Sequence, residues 1–366
     1  MRTSVNAVGL RVLVQGFLLL FTLLGGITAA AQTTVTVKVD CTKGGSINKA
    51  LDQNKNARSL IVEIGGMCTE NVIVTRDRVT FRGANPTADG IYAASNVGQI
   101  DAALWVRGAH EVTIENLKLT GGFAGLLATE ASTVDLRMLN CRSEGNSAYG
   151  VLLQAGLLQA EDTVLTSNGN FNAGVFQASR FACFRCTLSD PLGSGPVGTQ
   201  RNNLIAGAGS TVVLGTTTLT NGGIQLTNSL LQALDSTIDA LAPNVSVSGA
   251  QSIVSLTRVQ IGGPMRFNQS NSAVLLGVTQ FRNESTNIVD ENSFVRIADA
   301  PPATGGPPTI PSTILGLTLQ NFSNGSLVQT SLISGNLNCG PGGANAFCAN
   351  PANVSGTSNC ALCPKP

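Results

Sequence analysis

The chain has 366 residues, 43% of them hydrophobic and 12% charged, with a formal net charge of +1. That near balance gives no reason to expect nucleic acid or an anionic membrane as a partner. Aromatic residues make up 4%, with Trp105 the only tryptophan and Tyr92 and Tyr149 the only tyrosines, so few rings are on hand to stack on sugars.

The N-terminus carries Arg2 and Arg11, the apolar run VLVQGFLLLFTLL, and small residues at Ala29, Ala30 and Ala31 just before Gln32. This order reads as a secretory signal peptide over residues 1–31. A membrane anchor is the competing reading, but the run is shorter than the ~20 residues a spanning helix needs and leads straight into a cleavage site. No cysteine follows that site, which argues against a lipoprotein. The sequence therefore predicts a secreted or extracellular protein, periplasmic or at the cell surface if bacterial, with no membrane insertion after cleavage. Export makes the nine cysteines disulfide candidates, and an odd number leaves at least one unpaired within the chain.

Residues 32–57 read as an N-terminal cap holding a short helix from Ser46 to about Asn56, with Ile47, Ala50 and Leu51 on one face. Cys41 and Cys68 flank that helix and the first strand, where a bridge would staple this end of the molecule.

From there a ten-residue pattern recurs. Its windows begin at 132, 156, 179, 210, 229, 252 and 272, from STVDLRMLNC through SLLQALDSTI to SAVLLGVTQF. The third place holds Val134, Leu158, Phe181, Val212, Leu231, Val254 and Val274, and the fifth Leu136, Ala160, Cys183, Leu214, Ala233, Leu256 and Leu276. Apolar residues two apart mark a short strand with one buried face. The tenth place, from Cys141 to Phe281, predicts a second inward-facing strand after a turn. A third strand-like segment precedes each window, as in GLLATE at 125 and GVLLQA at 150. A unit of about 22 residues with three short strands cannot bury its apolar side alone and needs neighbours stacked above and below it.

The fold class that follows is all-β: one parallel solenoid over residues 58–338, of roughly a dozen turns with three short strands each. Two packed antiparallel sheets would show hairpin signals more regularly, and a leucine-rich repeat would show a helix and its own consensus. Asn146, Asn170 and Asn221 recur before the third strand and suit left-handed turns. Loop insertions fall at 190–202 and 298–312, and residues 339–366 form a cysteine-containing tail. The tail's Cys339, Cys348, Cys360 and Cys363 are expected to pair among themselves; zinc is the weaker alternative, lacking paired C-x-x-C spacing in an oxidising compartment. Cys141 is the expected free thiol, about 10 Å along the axis from the Cys183 window and so beyond disulfide reach.

GGSINKALDQNKNARSLIVEIGGMCTENVIVTRDRVTFRGAN at 44–85, followed by HEVTIENLKLTGG at 110–122, resembles the opening of a right-handed parallel β-helix of the pectate-lyase-like superfamily. The resemblance covers roughly residues 40–335 and is one of pattern, shared by proteins of many functions. It implies enzymes that act mostly on acidic polysaccharides. The Gly-His-Gly and paired aspartates of polygalacturonases are missing, since His110 stands alone in GAHEV, and so is the pectin methylesterase segment. A lyase would need an Arg or Lys base, often with calcium held by acidic side chains.

The repeat register places Arg137 beside Glu161 and Asp162 beside Arg185, so that Glu161 and Asp162 could hold calcium while Arg137 or Arg185 serves as base. The bland alternative is a ladder of exposed ion pairs, and Asp235 and Arg258 repeat the same relation at the same spacing of 23. The CFRC run at 183–186 reads as core packing or a local disulfide rather than a redox motif. The insertion at 190–202, with Asp190 and Arg201, is where a ligand groove would be walled. These residues favour a binding or structural solenoid with a polysaccharide or cell-surface polymer as partner and no cofactor. The alternative is a polysaccharide lyase or hydrolase acting on an acidic glycan, with calcium required only in the lyase case. Sequons at Asn244, Asn283 and Asn321 matter only in a eukaryotic secretory pathway.

Overall fold

In the segment Ser59–Gly65 the side chains of Leu60, Val62 and Ile64 are buried while their neighbours reach outward. A single such strand leaves its inner face wet, and the chain solves this by repeating it in register. The computed structural model describes residues 34–94, 101–129, 134–191, 201–241, 244–282, 287–301 and 309–363. Its strands form three sheets of 14, 12 and 12 members, here named A, B and C, visited in that order on every turn of the coil. Every pairing between neighbouring strands is parallel, and Leu158, Phe181, Val212, Leu231 and Val254 stack as one inward column of sheet A. The molecule is a right-handed parallel β-helix, the hand that parallel crossovers within one sheet almost always take. One continuous apolar core runs along its axis from Val39 to Cys363.

The register corrects the ends of the sequence alignment. Leu136, not Val134, pairs with Leu158, so the first window starts two residues later than the pattern suggests. Ser143 then takes the buried place assigned to Cys141, pairing with Leu165. In the last window Ala273 and Leu275 face inward opposite Val254 and Leu256, leaving Val274 and Leu276 outside, and Phe281 is exposed. Both windows hold adjacent apolar residues on either side of the strand, which lets a period-two pattern be read one or two residues out of phase.

The boundaries shift as well. Thr34–Asp40 already pairs with Ser59–Gly65 in sheet A, so the coil begins inside the expected cap. Leu337–Cys339 and Asn345–Cys348 carry it past 338 into the tail. The helix spans Ile47–Gln53, with Ser46 as its N-cap and Ile47, Ala50 and Leu51 buried against the first rungs. The Glu70 carboxylate accepts from the Ser46 hydroxyl and from the Ile47 and Asn48 amides, satisfying donors the helix leaves open at this end. The predicted signal segment lies outside the described residues.

On seven successive rungs one residue at the passage from sheet A to sheet B sits in the left-handed region: Asn116, Asn140, Asp162, Arg185, Thr216, Asp235 and Arg258 all have φ between 49° and 53°. Each amide in this column donates to the next rung, as Asp162 does to Phe184 and Arg185 to Gly215. The interior corner between sheets B and C is polar. Asn146, Asn168, Asn172 and Asn203 form a buried ladder, with Nδ2 to Oδ1 distances of 2.9, 2.7 and 2.6 Å along the series. Of the three asparagines that the sequence pattern singles out, Asn146 belongs to this ladder, while Asn170 and Asn221 flank it outside the core.

Candidate functional site

The corner singled out by the sequence brings some of its residues together. Arg185 donates Nε and Nη2 to the two carboxylate oxygens of Asp162, both at 2.8 Å, and its Nη2 lies 3.3 Å from Glu161. The Arg185 hydrogen bond holds the Asp162 carboxyl below its ordinary value, and the same pair raises the guanidinium above its own. Arg137 is not part of the group: it pairs with Gln159 across sheet A, because the two-residue register shift moves Glu161 opposite Leu139. Asp235 and Arg258 repeat the fork, at 2.6 and 2.8 Å. All four charged residues of these forks occupy the left-handed corner column, so the ion pairs stack one rung on the next.

This arrangement suits neither role that a lyase would ask of it. A guanidinium held protonated by two carboxylates is a poor base at neutral pH. Calcium at Glu161 and Asp162 would have to displace the arginine that already holds both, so the residues as placed do not fit that cation.

The two ends of the 190–202 insertion come together beside Gly222, where an added Cβ would stand 2.7 Å from Pro191 Cγ and 3.3 Å from the Arg201 carbonyl oxygen. Asp190 is an exposed left-handed residue whose carboxylate accepts from Asn221 Nδ2. The Arg201 amide donates to Asn244 Oδ1 at 2.6 Å. Among the described residues no ion pair joins Asp190 to Arg201, and residues 192–200 lie outside them. The His110 amide donates to Asp77 at 2.8 Å, tying two rungs.

Eight cysteines are bridged: Cys41 to Cys68, Cys183 to Cys186, Cys339 to Cys360 and Cys348 to Cys363. Cys141 is free and buried, and burial pushes its thiol up to about 11. The tail sulfurs, being paired, offer no thiolates to zinc.

An open cleft of about 510 Å³ lies at the N-terminal end of sheet A, edged by Lys38, Asp40, Glu63 and Arg82. Its charges are engaged with one another and with neighbours, Lys38 to Glu63 at 3.8 Å and Arg82 to Glu115 at 2.6 Å.

The feature that sequence reasoning missed is on the outside of sheet C. Trp105, Leu127 and Leu152 follow one another in register down its outer surface, while Leu104, Leu126 and Val151 point into the core. A second outward column runs Ala102, Ala124, Tyr149 and Phe171. Phe123 meets Tyr149 edge to face at 5.5 Å between centroids, and Tyr149 stacks on Phe171 at 5.7 Å. Phe176 joins from the far end of its strand, and together these rings leave Leu127 and Leu152 only 4% and 6% exposed although both point away from the core. Trp105 Nε1 donates to Thr129 on the next rung at 2.7 Å, and Arg107 lies over the indole at 5.5 Å. Burial raises the Tyr149 phenol above its ordinary value.

The chain's only tryptophan and one of its two tyrosines thus share one surface. A signal for it stands in the sequence: the doubled leucines of GLLATE and GVLLQA force one leucine of each pair outward in a strand of period two.

The fold defines the protein's class, a parallel β-helix, and that is as far as comparison with known proteins carries. Neither a family model nor a curated protein matches the sequence. Among solved structures the chain is similar to an alginate lyase from Paenibacillus sp. str. FPU-7, at 12% identity and TM-score 0.43, covering 86% of this chain and 97% of that one. It is also similar to a DFA-IIIase from Arthrobacter chlorophenolicus A6, at 10% identity and TM-score 0.42, covering 78% and 93%. A tailspike protein of Acinetobacter baumannii bacteriophage Fri1, a capsular polysaccharide depolymerase, matches at 10% identity and TM-score 0.36, covering 87% and 64%. At these values none of them says what this chain binds or does.

Proposed function

We propose that the protein is an extracellular glycan-binding solenoid whose binding surface is the outer face of sheet C, from the Trp105 rung to the Ile205 rung. The carrying observation is the second apolar cluster, formed on that face by Trp105, Tyr149 and Phe176 over Leu127 and Leu152. An apolar patch of this kind on the outside of a soluble fold marks an interaction surface. Its rings are amphipathic, with an indole N–H and a phenol at the edge, as suits a ligand that is apolar on its ring faces and polar around them. The strands beneath are rigid, held on both sides by parallel neighbours, so the surface is preorganised. Four disulfides support placement in an oxidising compartment, where polysaccharides are met.

Because Trp105 is the only tryptophan, its emission reports this face alone. Titration with a panel of soluble polysaccharides is expected to shift that emission, and native gels cast with the same polymers to retard the protein. Tyr149→Ala is expected to weaken the retardation. An unchanged emission across the whole panel would remove the proposal.

A further inference from the structure

The charges of this solenoid are distributed unevenly over its three faces. The strands of sheet A carry Lys38, Glu63, Arg82, Glu115, Arg137 and Glu161 among others, and those of sheet B carry Lys118, Arg142, Glu144 and Asp239. The described strands of sheet C hold two charged side chains, Arg107 and Arg266, and no carboxylate. Those two arginines are seven strands apart, about 33 Å at ~4.8 Å per step. Such a separation is several times the Debye length of ~8 Å at physiological salt, so they cannot act together on one stretch of ligand. The nearer of them is already spread over the Trp105 indole.

Resting on the glycan-binding reading above, we infer that the ligand class of the sheet C face is a neutral glycan rather than a uronate polymer. A polyuronate carries a carboxylate on each sugar, and burying several of them against rings and leucines without cations is costly. Between the Trp105 and Ile205 rungs, roughly 19 Å of axis, the described strands offer Arg107 alone. At its margins the chain adds one charge of each sign: Arg201 precedes the last strand of the platform and Asp101 the first, the Asp101 carbonyl accepting from the Phe123 amide and its Oδ1 buried without a partner. What this face does offer is suited to hydroxyls. Gln154 is half-buried at the edge of the rings, where Thr129 and Asn202 are buried and bonded to Trp105 and Gln225, and further along the outward residues are Gln225, Thr227 and Ser248. Uncharged donors and acceptors around stacked rings match a ligand whose polar groups are themselves uncharged.

The test sets neutral polymers, mixed-linkage β-glucan, glucomannan and galactomannan, against pectate and alginate, following Trp105 emission and gel retardation at low and high salt. The expected result is a response to at least one neutral polymer, insensitive to salt, and about tenfold weaker when one ring is removed by Tyr149→Ala. Phe123→Ala, which trims a ring that is 43% exposed, is the second variant should Tyr149→Ala disturb folding, and is expected to weaken binding in the same direction. A salt-sensitive response to pectate or alginate alone, lost in the same variants, would overturn the neutral class while leaving the platform as the binding face. A response unaffected by either variant, or none from any polymer, would overturn both.

Discussion

Thr216 occupies a backbone conformation that suits it poorly. It is an exposed, β-branched residue at φ 51°, in a corner column where other rungs place asparagine or aspartate. Left-handed backbone costs an ordinary L-residue roughly 1–2 kcal/mol and asparagine less. Thr216→Asn is therefore expected to stabilise the protein by about 0.5–1 kcal/mol, read as a higher urea midpoint with unchanged slope. Asp89 shows the opposite case, a residue that fits where it is. Burial pushes its carboxyl up, but the amides of Gly66, Asn85 and Ala84 more than offset this, and it sits below the ordinary range. A depressed carboxyl contributes its full stability above the unfolded value of about 3.9 and loses it as pH falls through the folded value. Asp89→Asn should cost about 1–3 kcal/mol near neutral pH, and the gap from the parent should narrow as unfolding is repeated below about pH 4. A gap that stayed constant would assign the loss to packing alone. At this scale the sequence spoke unevenly: the spacing of 23 located the Asp162–Arg185 and Asp235–Arg258 forks, because single-residue corners keep constant phase between rungs of equal length. It misplaced Arg137, because the preceding turn differs in length.

Strand segments depend on interior polar contacts that a hydrophobic pattern cannot reveal. At the start of several sheet C strands two successive residues point inward, so Gly125 and Gly150 fall in one column with Asn172 and Asn203 of the asparagine ladder. Asn203 closes that ladder by donating Nδ2 to the carbonyls of Thr220 and Gly222, at 2.9 and 2.8 Å. A Cβ on Gly150 would stand 2.7 Å from the Asn172 carbonyl and from Asn168 Nδ2, which is held by hydrogen bonds to the Ser143 carbonyl and Asn172 Oδ1. Gly150→Ala is expected to destabilise by about 1–3 kcal/mol despite raising strand propensity, measured by thermal or urea unfolding. The repeat of apolar pairs was legible because period two is written in every rung. Of the ladder only Asn146 stood out, 22 residues from Asn168; the later members lie 4 or 31 residues apart, Asn168 to Asn172 and Asn172 to Asn203, and only the bulged strand starts bring them into line. The sheet C platform escaped for a related reason. Counting aromatic residues measures how many there are, while stacking of rungs decides whether the few meet.

A solenoid as a whole has two ends where paired strands stop, and an uncovered strand edge is a template for another copy. At the N-terminal end the helix Ile47–Gln53 lies over the first rungs and Cys41–Cys68 ties the strand before it to the next turn. At the C-terminal end the work is done by residues 349–363, which are poor in regular structure. They bridge to the last strands of sheets B and C, Val354 beside Ile333 and Ser358 beside Leu337, and return hydrogen bonds through Ser355 to Ile333 and Asn359 to Leu337. Further hydrogen bonds tie Ala349, Asn353, Gly356, Thr357 and Asn359 to the last rungs, and Val354 is buried in the core, contacts that offset part of the segment's conformational entropy. Its attachment is completed by Cys339–Cys360 and Cys348–Cys363, closing loops of 21 and 15 residues, each worth roughly 3 kcal/mol through the unfolded segment it restrains. Replacing all four of these cysteines with serine is expected to free the segment, leave the rungs before it folded, and expose the edges of sheets B and C. The variant should then associate end to end, its sedimentation coefficient rising with protein concentration while the parent stays constant, and backbone amide exchange should quicken at Leu332–Cys339 but not at Leu158–Cys183. Association without faster exchange at the last rungs would place the new contact elsewhere on the surface, and the tail would then have to be read as a tether rather than a cap.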